Sequence, residues 1–395
     1  MSVPNYYAIS NSKDQPSVFN GRLEEKYRAV YGIGSIGYRN FIFADFTLRN
    51  DWYSTLPPVN NDVLSKSFGA SFVFSDLVKV PWLSFGKIRA SWGEIPQALG
   101  TSSTTFGAYR YPGFAYGVGQ FQWNGNILMG TPDVLVDSAI HGAVKTQKEI
   151  GVELRFLRNR VGITATYWDG TEKDFPFEIS VNGASGFTRY LTNSGEITKK
   201  GLDFQFMVKP VWMDNIRWEL NATFSKLIEN KVVSIATQNG VEIERTPAVG
   251  NQVWGNTMPY AVMQKGETWG QIYGNGIKRI NGQPVLTSSG AYVNDPNVYF
   301  GSVLPDYTGG VQNTIELFKQ FTVAFNLDYQ VGGKFVSLSN MWGSYSGLTK
   351  RTAGVNDKGN PIRDAVADGG GVHVFGVDAD GKPVDYYVEG QDYYH

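Results

Sequence analysis

The 395-residue sequence has no cysteine, which excludes a disulfide scaffold, a thiolate metal site and a cysteine nucleophile. It has only three histidines, His141, His373 and His395, far apart and without metal-ligand spacing such as His-x-x-x-His. Charged residues make up 18% of the chain and nearly cancel, leaving a net charge of −1. That balance gives no electrostatic case for nucleic acid or for an anionic membrane surface. No run approaches the roughly 18 consecutive apolar residues of a transmembrane helix. The opening Met1-Ser2-Val3-Pro4-Asn5-Tyr6-Tyr7 lacks the basic and apolar regions of a signal peptide.

Catalytic motifs are equally scarce. No Gly-x-Ser-x-Gly elbow occurs, and nothing singles out an acid/base pair among 36 carboxylates, so neither enzyme nor cofactor is expected. Gly32-Ile33-Gly34-Ser35-Ile36-Gly37 spells the dinucleotide fingerprint, but that chemistry needs a helix after it to hold the pyrophosphate. Here the motif lies inside an alternating strand. Asp378-Ala379-Asp380-Gly381 resembles the start of a calcium loop, with Glu389 at the position of the bidentate ligand. Pro383 replaces the loop's central glycine, so a hairpin tip is expected instead.

Glycine (46 residues), aromatics (14%) and strict alternation are abundant. In Phe321–Tyr329 every odd position is apolar or aromatic and every even one small or polar. Successive strand side chains point to opposite faces, so this segment has one greasy and one wet face. The pattern recurs about ten times, near the roughly 9–11 residues of a tilted membrane-spanning strand. Residues such as Glu153, Arg155, Asp203, Arg217 and Glu219 fall on the wet face. A basic residue turned to mid-bilayer lipid would cost about 2–4 kcal/mol, so a polar lumen is their natural place.

The segments come in pairs. Tyr27–Gly37 pairs with Phe41–Asp51, Ser67–Asp76 with Phe85–Ile95, and Lys148–Leu157 with Val161–Asp169. Glu196–Val208 pairs with Ile216–Ile228, and Gly310–Phe318 with Phe321–Val331. Connections within pairs are short, and those between pairs are long. Short turns at one end and long loops at the other are the asymmetry of outer-membrane barrels. A soluble antiparallel sheet with one face in water shares the period but usually mixes loop lengths at both ends. Within the long loops, Gly282, Gly359 and Gly381 each open a Gly-x-Pro-aliphatic pattern, with Asn281, Asp357 and Asp378/Asp380 lying just before them, and are expected to be hairpin tips.

Aromatics in these loops are candidates for stacking on sugar rings or packing against a partner, foremost Tyr116, Trp123, Trp254 and Trp342. Trp269 and Tyr345 belong to the same group. The alternative is that they pack the loops together or form an interfacial girdle.

Several stretches resemble SusC/RagA-type TonB-dependent outer-membrane transporters. They are Phe46–Pro57 with Arg-Asn-Asp-Trp-Tyr-Ser-Thr-Leu-Pro, Trp82–Gly93, Asn193–Asp203, Gly270–Gly274 and Pro305–Gly310. They are spread through residues 7 to 335 in the family's order. The resemblance implies an all-β fold, an antiparallel up-and-down transmembrane barrel of which this chain supplies about ten strands. It also implies energisation by the TonB complex, contact with outer-membrane lipid, and a SusD-like surface lipoprotein partner for import of oligosaccharides or peptides.

On this reading residues 1–26 form a loop and the entry to the barrel. Residues 27–331 form the receptor barrel segment, with loops at 96–147, 171–195 and 229–308, and 332–395 a long extracellular loop. The family's plug and TonB box have no counterpart here, so an internal piece of a transporter is expected, with substrate-contacting residues unassigned. The competing expectation is a soluble β-rich carbohydrate-binding protein.

Overall fold

The computed structural model describes residues 4, 26–97, 119–123, 126–130, 134–238, 240–247 and 259–394. Ten long strands pair antiparallel, each with its neighbour in chain order, into one meandering wall. They are β1 (Tyr27–Tyr38), β2 (Ile42–Tyr53), β3 (Asp62–Phe72), β4 (Leu83–Pro96) and β5 (Val144–Phe156). There follow β6 (Val161–Ser180), β7 (Arg189–Trp212), β8 (Ile216–Ser234), β9 (Pro305–Leu317) and β10 (Phe321–Gly332). Val134–Val136 adds in parallel beside the start of β7. Among the described residues β1 and β10 are each paired on one side only, so the wall is an open segment of a barrel.

The register carries the alternation from strand to strand. One hydrogen-bonded row runs Tyr38, Ile42, Phe72, Ile88, Val152, Ala165, Phe204, Phe224, Gly309 and Tyr329, crossing all ten strands without a charge. The adjacent row runs Gly37, Phe43, Ser71, Arg89, Gly151, Thr166, Asp203, Ser225, Thr308 and Gln330. Both rows start at the turn end on β1 and finish near the loop end on β10, as tilted strands require. The Gly-rich motif of β1 is plain strand, and Gly34 leaves room for the Phe46 ring to lie across it.

Tight turns close one end. Arg39 and Asn40, then Leu157, Arg158 and Asn159, then Phe318 and Lys319 all adopt positive φ, the conformation that matches a hairpin's right-handed twist. The β3–β4 connection contains a short 3-10 turn, Phe74–Asp76, and β7–β8 turns at residues 213–215. Aromatic pairs mark the apolar face just above these turns: Phe41 with Phe72, and Trp82 stacked on Phe156. At the opposite margin of that face stand Lys66, paired with Glu94 at 2.9 Å, and Lys200, paired with Glu229 at 3.2 Å. Charges thus sit on the wet face and also at the loop-end rim of the greasy one, where long side chains reach past the apolar band.

Several expected boundaries change, and the loops expected at 96–147 and 229–308 are already strand from Val144, up to Ser234 and from Pro305. The stretch 171–195 is strand through Ser180 and again from Arg189, and β6 and β7 stay paired up to Ser180 and Arg189. Only residues 181–188 form the loop. β3 begins at Asp62, and Phe74–Asp76 lies outside it. The expected long loop after β10 contains a helix, α1 (Leu338–Tyr345), and a hairpin joining Val372–Val377 to Pro383–Val388.

The core lies at the loop end. One buried cluster joins Leu56 and Val63 to Ile140 and Leu191. Another joins Val232, Ile235 and Ala236, with Phe177, Met263 and Trp269 packed against it. A four-stranded sheet (Arg245–Pro247, Tyr260–Gln264, Gln271–Ile277, Asn294–Ser302) fills the β8–β9 connection.

The predicted hairpin tips fold as such. Gly282, Gly359 and Gly381 all have φ near +80°, at 83°, 85° and 82°. The Asn356 and Asp378 tips are built alike: each side-chain oxygen accepts from the N–H groups two and four residues on. Glu389 is engaged elsewhere, accepting from the Val366 N–H, so the calcium-like spacing describes a turn.

Candidate functional site

The wet face of the wall carries a lattice of ion pairs. Glu172 sits between two lysines, 2.8 Å from Lys199 and 3.7 Å from Lys145, which reach it from the strands on either side. Arg155 pairs with Glu153 at 2.7 Å, and Arg49 grips Asp51 through two nitrogens at 2.7 and 2.8 Å. Near the turn end, Lys209 lies 3.4 Å from Glu219 and 4.5 Å from the Trp212 ring centre, while Arg217 faces Glu316 at 3.7 Å. Glu153, Arg155, Asp203, Arg217 and Glu219 all occupy this face, as the alternation predicts. The Lys145–Glu172–Lys199 group escaped sequence reading because Glu172 falls in a stretch read as loop.

Small residues shape this surface. Ser67, Gly69, Ser91 and Gly93 face Asp45, Thr47, Gln147 and Glu149 around a recess of about 400 Å³. Gln147 donates to Glu149 at 2.7 Å, fixing one wall of it. Gly151 lets the Arg89 side chain cross the sheet and donate to the Thr166 hydroxyl at 2.8 Å. A side chain at Gly201 would collide with the Trp168 ring. Lys145, Phe68, Trp92 and Ile95 complete the lining, so the recess offers carboxylates, an ammonium, an amide and hydroxyls beside apolar surface, with no group placed for covalent chemistry. Among the described residues no cluster of His, Cys, Asp or Glu could hold a metal.

The loop aromatics are distributed differently from a single platform. Tyr116 and Trp254 lie outside the described residues; Trp123 ends a short strand, Gly119–Trp123, whose side chains also lie outside them. Trp342 is on α1, edge-on to Tyr345 with ring centres 5.8 Å apart, and 39% exposed. Ser337 caps the start of that helix and Arg363 donates to the Tyr345 carbonyl at its end. Trp269 packs into the second core cluster, the structural role weighed for such residues.

Three titrating groups stand out beyond the wall. Tyr387 donates to both oxygens of Asp357, at 2.7 and 2.8 Å, and this contact pushes the phenol up to about 12 while holding Asp357 below its ordinary range. The His373 ring stacks on Tyr387, 4.7 Å between centres. Asp137 is pulled two ways: burial raises it, but the Ala139 N–H and the Thr192 hydroxyl donate to it and leave it lowered.

An open antiparallel wall with a charge-free outer band, interfacial aromatics and a polar inner face defines an outer-membrane β-barrel segment. A family model described as TonB dependent receptor-like, beta-barrel matches residues 2–328, and the chain belongs to that family. It is 20% identical over 348 residues to TonB-dependent receptor P3 of Formosa agariphila, covering 82% of this chain and 33% of the relative. TonB-dependent receptor P39 of the same organism is 24% identical over 110 residues. The chain thus spans about a third of the length of the first of these relatives. Among solved structures, the RagAB peptide transporter superposes with a TM-score of 0.62 at 15% identity, over 81% of this chain and 35% of that one. The RagAB peptide importer in its open-open state gives 0.57 at 15% identity, over 78% and 33%. The family consists of outer-membrane receptors and transporters, and the soluble carbohydrate-binding alternative falls with that assignment.

Proposed function

We propose that this chain forms part of the wall of a TonB-energised importer that takes up oligosaccharides or peptides with a SusD-like lipoprotein at its mouth. The supporting observation is the inner face, where the recess around Asp45, Gln147 and Glu149 presents hydrogen-bonding groups to the lumen. Such groups suit hydroxyl-rich or amide-rich solutes that a hydrophobic pore would reject. The fold match to the RagAB peptide transporter adds weight to peptide cargo. Loop aromatics Tyr116, Trp123, Trp254 and Trp342 are proposed as further substrate contacts.

The test is uptake by cells with and without the gene, using labelled peptides and labelled oligosaccharides in parallel, before and after collapse of the proton-motive force. Gene-dependent, force-dependent entry of one class is expected, reduced by D45N/E149Q at normal protein level. Uptake of both classes that is indifferent to the gene would overturn the reading.

A further inference from the structure

The five short connections share a chemistry that the wall above them lacks. Four place a cation directly after an exposed apolar side chain: Tyr38-Arg39, Val78-Lys79, Leu157-Arg158 and Phe318-Lys319. Those apolar residues are 54%, 51%, 58% and 61% exposed. Arg160 adds a further cation, and against these five stand only Asp76 and Asp214. A chain whose net charge is −1 therefore has one distinctly basic end. Whole-chain charge conceals it.

The backbone makes this pattern harder to dismiss. Arg39, Leu157, Arg158, Phe318 and Lys319 all hold positive φ, where Gly, Asn or Asp would sit with least strain. Asn40 and Asn159 are the residue types such turns favour; their neighbours are not. Bulky apolar and cationic side chains kept at strained positions point to a use for the side chains themselves. The tips are continuous with the lipid-facing band, just beyond the Phe41–Phe72 and Trp82–Phe156 pairs. Arg39 lies 5.2 Å from the Tyr38 ring, and Lys79 is 75% exposed beside Asp76.

We propose that this basic rim binds anionic phospholipid headgroups in the leaflet at the turn end. Arg39, Lys79, Arg158, Arg160 and Lys319 hold the phosphates, while Tyr38, Val78, Leu157 and Phe318 seat among the acyl chains below. Long basic side chains suit that depth, since their stems stay in apolar surroundings and their heads reach the phosphate layer. The inference rests on the chain's place in the outer membrane and not on which solute is imported.

The test uses the protein extracted from its native membrane and exchanged into mixed phosphatidylglycerol and phosphatidylcholine, with retained lipid counted by native mass spectrometry. Phosphatidylglycerol is expected to be enriched roughly tenfold, falling toward parity in R39Q/K79Q/R158Q/R160Q/K319Q and persisting in R39K/K79R/R158K/R160K/K319R. The variant K148Q/K226Q, at the opposite rim, should leave the enrichment unchanged. If the five-glutamine variant fails to assemble, salt decides on the unaltered protein, because phosphate contacts weaken as salt rises. No enrichment in the unaltered protein, enrichment indifferent to salt or to the glutamine variant, or enrichment lost in K148Q/K226Q would each overturn the proposal. So would co-purification of an acidic protein at this rim without enriched lipid.

Discussion

Two neighbouring rows of the same wall, one residue apart along every strand, follow opposite rules. The row through Val152 and Phe204 meets lipid, where an unpaired charge has no solvent and alternation must hold at every strand. The row through Arg89 and Asp203 meets the lumen, where ions find partners or water, and it mixes glycine, hydroxyl and charge. The difference teaches that the outer face is specified by exclusion and the inner face by pairing. An outer position is defined by what it cannot be, an inner one by its neighbour.

The sharpest way to break this contrast is Val152→Arg. It places a cation in the middle of the charge-free row and should destabilise the protein by about 2–4 kcal/mol. Ser225→Arg, on the polar row, should change stability by about 0.5 kcal/mol or less. Urea midpoints of the membrane-extracted protein, with heat-shifted gel mobility reporting the folded barrel, compare the two directly. Equal losses would show that the faces are not distinct in energy.

Gly201→Val tests the inner face from the other side. It is an apolar change on a tolerant face, yet its Cβ meets the Trp168 ring, and overpacking should cost about 1–3 kcal/mol by the same midpoints. Asn313 is the complementary exception, a polar side chain on the outer side, 8% exposed, that accepts from the Trp218 indole at 3.3 Å. Asn313→Leu should therefore destabilise by about 1 kcal/mol, because it leaves that N–H unpaired away from water. A stabilised variant would mean that exclusion rules here without exception.

The smallest effect lies beyond both faces. Asp357→Asn should bring the Tyr387 phenol down from about 12 toward its ordinary 10, read by ultraviolet titration of the phenolate. Because the folded phenol is raised, its contribution is present below about pH 10 and lost as pH rises through about 12. In acid the same contact weakens as Asp357, held below its ordinary range, takes up a proton. A titration unmoved by the substitution would dissociate the two groups.

The wall was legible in the sequence wherever its two sides face different media. Phe321–Tyr329 alternates because one side is lipid and the other lumen. Thr171–Ser180 and Arg189–Gly195 are strand just as firmly, but their sequence carries Pro176 and Gly195, which favour a loop. They rise past the apolar band into the loop-end core, where Phe177 packs on the Val232–Ala236 cluster and Leu191 is buried with Leu56 and Ile140. Periodicity reports lipid against lumen along one strand, and burial under a segment distant in sequence leaves no such local mark. The inner lattice was half legible for a related reason. Alternation puts Glu153 and Arg217 on a face, but the meeting of Lys145, Glu172 and Lys199 depends on register across three strands. Trp269 shows the limit for loops, since nothing local separates an aromatic in a buried cluster from one turned to a ligand.

The unbroken row from Tyr38 to Tyr329 also fixes a grammar for inherited change. Losing one residue within any wall strand would turn every later side chain of that strand to the wrong medium; losing two would restore the sense. The register shift between Val208 and Val211 shows how an odd residue is absorbed, at a bulge near the turn end rather than in the middle of the band. Insertions and deletions among descendants of this gene should therefore collect in the loops, and in the wall should arrive in pairs.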